Sequence, residues 1–151
     1  MPGFITFGRV LFAVIFIYSG ATKLFGIPVT ADLIASKVTI PAVLAPYAAQ
    51  LEAAAKMPMP QILAVAAGAF EVLAGLMIAL NILSRFFAAL LIIFVGATIF
   101  YFHDFWNQPP PDNAKTLIDA LKNLSIIGAL FMIFGYGKGP KDPEQNAYGD
   151  L

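Results

Sequence analysis

The sequence predicts an all-α fold: a bundle of four transmembrane helices, with short interfacial helices in the linker between the first and second. Three observations carry that expectation. Hydrophobic residues make up 60% of the chain and charged residues only 12%, too apolar a mix for a soluble domain of 151 residues. Four apolar stretches, Phe4–Phe25, Gln61–Leu80, Ser84–Phe102 and Leu117–Tyr136, have about the ~20 residues that cross a bilayer as a helix. Glycine, proline and asparagine interrupt the chain between them. Residues 1–137 read as one membrane domain, and residues 138–151 as a polar, mobile tail.

The first span stops at Gly26-Ile27-Pro28. It is longer than a usual signal core and has no basic lead-in before Arg9, so it reads as a span, not a cleavable leader. The linker Val29–Met59 carries Pro41, Pro46 and Pro58, with Pro60 just after it, but is not hydrophilic, and a structureless loop of that length is uncommon. Thr30–Val38 and Tyr47–Lys56 are expected to form short helices at the interface or partway into it. The second span follows the Pro58-x-Pro60 break. Asn81 precedes a very short turn, which makes the second and third spans antiparallel neighbours. The third fades into His103-Asp104-Phe105-Trp106, and Pro109-Pro110-Pro111 ends any helix there. Asp112 or Asn113 is placed to cap the fourth helix.

Composition excludes several function classes. Net charge is zero with no basic block, which argues against a nucleic-acid partner. The chain has no cysteine, so it carries no thiol chemistry, Fe–S ligation or Cys-type zinc site of its own. One histidine is too few for bis-histidine haem, and nitrogen and sulfur ligands are too few for zinc or copper. No metal is expected. Gly135-x-Gly137-x-Gly139 follows a helix instead of opening one, so it is not a phosphate cradle. Ser19 and Ser125 lack a histidine–carboxylate triad.

The polar residues inside the spans are more informative. Arg9, Ala13, Phe16, Gly20 and Lys23 recur at steps of three or four and form one stripe of the first helix. Ala64, Gly68, Glu71, Gly75 and Ala79 form another on the second, and such small residues let helices approach closely in lipid. Arg85, Ala89, Ile92, Gly96, Ile99 and His103 align on the third. Glu71 lies about 15 Å into its span at ~1.5 Å per residue, where a carboxylate is costly unless it faces the protein and has a partner. The expected site is a polar pocket towards the loop-rich side. Glu71 is its floor, Lys23, His103, Lys122 and Asn123 its wall, and Asp104 and Trp106 its rim. Arg9 and Arg85 lie at the other end, to meet headgroups, or for Arg9 a buried partner.

Each residue also has a plainer role. Glu71 and Lys23 suffice as a structural ion pair, since breaking a buried pair costs roughly 3–5 kcal/mol. An imidazole such as His103 handles protons near neutral pH, but is also ordinary at a helix end. Tyr101, Phe105 and Trp106 suit an interfacial aromatic belt or a wall for a quinone ring. Basic residues favour cytoplasmic termini only by position. Arg9, Arg85, Lys138 and Lys141 flank short terminal-side segments, against Lys23, Lys37, Lys56, Lys115 and Lys122 opposite.

The pattern resembles the DoxX family of small four-helix membrane proteins. The resemblance rests on Gly8-Arg9, Tyr18-Ser19-Gly20-Ala21-Thr22-Lys23-Leu24, and Glu71-Val72-Leu73-Ala74-Gly75. It continues through Ser84-Arg85, His103-Asp104-Phe105-Trp106, and Lys122-Asn123-Leu124 with Gly128. It implies a bacterial inner-membrane protein. One relative is associated with thiosulfate oxidation and quinone reduction, and others with oxidative-stress membrane complexes. The leading expectation is an accessory subunit with a redox-protein partner, binding a quinone or lipid headgroup in the pocket. The alternatives are quinone-coupled oxidation of a small sulfur compound such as thiosulfate, small-solute transport, or a structural assembly role.

Overall fold

The computed structural model describes residues 2–136, and the expected tail lies outside them. Among the described residues six α-helices follow one another: α1 (Pro2–Phe25), α2 (Ile27–Lys37), α3 (Ala45–Ala55), α4 (Met59–Ala79), α5 (Ser84–Phe102) and α6 (Asp112–Tyr136). Single 3-10 turns stand at Ala42–Leu44 and Phe105–Asn107. No strand occurs among the described residues. Helices α1, α4, α5 and α6 are long and apolar enough to cross a membrane. At 11 residues each, α2 and α3 are too short. Large apolar side chains such as Phe7, Val14, Leu73, Ile93 and Phe131 face outwards around the bundle, as a lipid-facing surface requires.

Three helices begin earlier than the sequence suggested, for one reason. Pro28, Pro46 and Pro60 sit in the first turns of α2, α3 and α4. A first-turn residue has no intrahelical acceptor for its N–H, so proline costs nothing there and its fixed φ suits the helix. Prolines read as breaks are therefore starts. Stops come from left-handed residues instead. Lys56 (φ 54°) ends α3, and Asn81 (φ 58°) with Leu83 (φ 48°) makes the tight α4–α5 turn. Ser84 Oγ donates to Asn81 Oδ1 at 2.9 Å and braces that turn.

Helix α1 packs along α4, α4 meets α5, and α5 lies against α6. The α1–α4 seam is built from small residues: Ala13, Gly20, Gly68, Ala74 and Gly75 are all buried. The central core adds Phe16, Ile78, Ala88, Leu91, Val95 and Leu130. On α5 the buried stripe is Ser84, Ala88, Leu91 and Val95. That is one residue away from the aligned set Arg85–Ala89–Ile92–Gly96, whose Arg85 is exposed. A second cluster seats α2 on α4 through Ala31, Ile34 and Ala64, with Phe102 of α5 against it.

Arg85 does not point only to headgroups. Its Nε donates to the Phe134 carbonyl at 3.0 Å and its Nη2 to the Gly135 carbonyl at 2.7 Å. These carbonyls stand in the last turn of α6, where a cation is favoured. Arg85→Ala is expected to lower stability by about 1 kcal/mol, and Arg85→Lys to recover only part because it lacks the fork of donors. Unfolding midpoints in SDS-titrated detergent check this; no shift in the alanine variant would refute it.

Candidate functional site

Helix geometry brings Lys23 and Glu71 together. Side chains on a helix lean towards its N-terminus. On α1 this turns Lys23 inwards from the last turn, back towards Ser19. On antiparallel α4 it turns Glu71 the opposite way, to meet it. Lys23 Nζ lies 2.6 Å from Ser19 Oγ, 3.1 Å from Glu71 Oε1 and 2.9 Å from Glu71 Oε2. The Glu71 side chain is 6% exposed and that of Lys23 28%. The ammonium thus has an oxygen contact for each of its three N–H bonds, and the two charges cancel.

This pair stands on the wall of a cavity of about 420 Å³. Its apolar lining includes Phe16, Phe94, Val95 and Ile126. Helix α2 completes the wall with Thr30, Leu33 and Ile34. His103, at the end of α5, and Asn123 on α6 also line it. Neither side chain makes a hydrogen bond among the described residues. The cavity therefore offers a neutral, internally satisfied ion pair beside the uncommitted hydrogen-bonding groups of His103 and Asn123, in largely apolar surroundings.

The other expected site residues fall elsewhere. Lys122 points outwards, 68% exposed, and pairs with Asp119 at 3.0 Å one turn back. Neighbouring residues on a helix point about 100° apart, so Asn123 faces the cavity and Lys122 cannot. Asp104 is outside the lining and accepts from Lys37 Nζ at 3.0 Å. Trp106 is half exposed, meets Phe105 edge to face and Phe100 at a tilt, and is not part of the cavity lining. Arg9 lies in the terminal half of α1, with Nε and Nη1 buried and unbonded among the described residues. Its Nη2 makes a long 3.5 Å contact with Thr6 Oγ1.

Sequence reasoning missed Ser19 as a partner and α2 as a wall. Ser19 was legible, since it precedes Lys23 by four residues on the same face. The wall of α2 was not, because nothing local states which way a short helix folds back. Among the described residues no three His, Cys, Asp or Glu side chains are grouped to hold a metal ion.

Four spans around a shared, largely apolar cavity with an ion pair on its wall define a small multi-pass membrane protein. The chain belongs to the DoxX family, which matches it over residues 4–104. It is similar to inner membrane protein YphA of Escherichia coli strain K12, at 28% identity over 138 residues, which covers 91% of this chain and 86% of YphA. No solved structure matches it.

Proposed function

We propose that this protein is an accessory membrane subunit in redox or stress physiology that holds a quinone or lipid headgroup in the Glu71 cavity. Its expected setting is a bacterial inner membrane, by likeness to YphA, with both termini cytoplasmic and a redox protein as partner. One observation carries the reading. His103 and Asn123 present unused hydrogen-bonding atoms to a largely apolar cavity of about 420 Å³, a size and polarity suited to a small ligand or headgroup. The residues fit a quinone: the imidazole and carboxamide can donate to its carbonyl oxygens, while Phe16, Phe94 and Ile126 hold the ring and first tail atoms. When bound, a quinone supplies the electron-carrying chemistry; the chain supplies position and hydrogen bonds.

The same geometry speaks against a small sulfur anion as the ligand. Lys23 is neutralised by Glu71, and Lys122 faces outwards, so the cavity has no spare lysine charge for thiosulfate. Mass spectrometry of the protein purified in mild detergent tests the proposal. Wild type is expected to retain a quinone or one lipid class. A His103→Ala/Asn123→Ala variant should retain at least about five-fold less, the smallest loss for two hydrogen bonds of roughly 0.5–1.5 kcal/mol each. Equal retention would overturn it.

A further inference from the structure

We propose that the cavity fills sideways from the bilayer, and that α2, pinned by the Lys37–Asp104 ion pair, shuts it from the water on the loop side. This rests on the reading of the cavity as a ligand site and names its ligand class: molecules already dissolved in the membrane, with a polar head and an apolar body.

The side opening is visible in residues that are both lining and exposed. Ile15 of α1, Leu33 of α2 and Tyr101 of α5 line the cavity, yet are 48%, 52% and 40% exposed. Ala97 of α5 is a fourth such residue. Ile15 lies ten residues before the end of α1, so this opening reaches about 15 Å below that end at ~1.5 Å per residue, where the neighbours are acyl chains. An exposed apolar mouth at that depth faces lipid.

The loop side is built differently. There Ile34 of α2 is 8% exposed and packs with Ala64, while Phe102 of α5 closes against the same cluster. Lys37, the last residue of α2, reaches Asp104 just beyond α5. Asp104 is held in turn by Gln108 Nε2 at 3.3 Å, and Gln108 Oε1 accepts from Thr116 Oγ1 of α6 at 2.6 Å. One polar chain thus ties the C-terminal end of α2 to the loop-side ends of α5 and α6. Ala31 and Ile34 seat the middle of α2 on α4, and the tie holds its C-terminal end.

The chain contains no cysteine, so a single introduced thiol reports alone. Thr98 lines the cavity and bonds only to its own helix, at the Phe94 carbonyl, which makes Thr98→Cys a mild change. In proteoliposomes, an uncharged lipophilic maleimide is expected to label it readily. A charged, membrane-impermeant methanethiosulfonate is expected to label it slowly, and about three-fold faster once Asp104→Ala or Lys37→Ala is added, the scale of one solvent-accessible ion pair. Rapid charged labelling with the ion pair intact overturns the closed loop side. No acceleration in either variant overturns the pinning role, and failure of the maleimide overturns the side opening. None of these outcomes depends on a bound quinone, so the ligand proposal can fail separately.

Discussion

Lys23→Met is expected to be the most damaging polar substitution in the molecule. It strands the Glu71 carboxylate, whose side chain is 6% exposed and whose hydrogen bonds among the described residues both come from Lys23. Removing one member of a buried pair costs roughly 3–5 kcal/mol. The reverse change should be milder. In Glu71→Gln the carboxamide still accepts a hydrogen bond, and Lys23 sits in the last turn of α1, close enough to the interface to extend its ammonium there. The double variant Lys23→Met/Glu71→Leu should recover much of the loss, because an apolar pair needs no compensation. The fraction remaining monodisperse on gel filtration after graded heating gives the order. A double variant no better than Lys23→Met would refute the pair as the unit of stabilisation.

Gly20→Ala is expected to loosen the α1–α4 seam by about 2–3 kcal/mol, at the upper end for overpacking a tight contact. A β-carbon on Gly20 would stand 2.5 Å from the Gly68 carbonyl oxygen and 2.8 Å from the Val72 amide nitrogen. Both are backbone atoms in a helix, so the helices themselves must separate. Gly68 meets the same limit from the other side, 2.9 Å from the Gly20 carbonyl oxygen. That separation would also draw Lys23 from Glu71, one turn away on the same faces. Gly8 is the control: it lies in the same helix with nothing within 4 Å of the added carbon. SDS unfolding midpoints should fall for Gly20→Ala and hold for Gly8→Ala. Equal midpoints would show that close approach is not what the seam depends on.

The spans and the charged pair were legible because each has a local cause. Apolar length marks a span, and a step of three or four residues puts Glu71 on the same face as Gly68 and Gly75. That shared face pointed Glu71 at a neighbouring helix, and Lys23 was the nearest base on a matching stripe. What was illegible depended on rotation or on non-local placement. Lys122 and Asn123 are adjacent in sequence, and only the packing of α6 decides that Asn123 faces in and Lys122 out. The stripe of α5 differed by one residue for the same reason: a nearly all-apolar helix does not announce which face is buried. Asp104 was placed at the rim by proximity, but its partner Lys37 lies 67 residues earlier, on a helix whose return onto α4 no local signal predicts.

The Lys23–Glu71 contact spans 48 residues of sequence, and that spacing sets an order of events during synthesis. The lysine leaves the ribosome first, and at roughly 5–20 residues per second its carboxylate follows about 2–10 s later. For that interval α1 is in the membrane without the helix it packs on, its charge near the headgroups as the only comfortable place. Biogenesis of this small protein therefore includes a waiting period, and the segment translated during it is α2, α3 and the first half of α4.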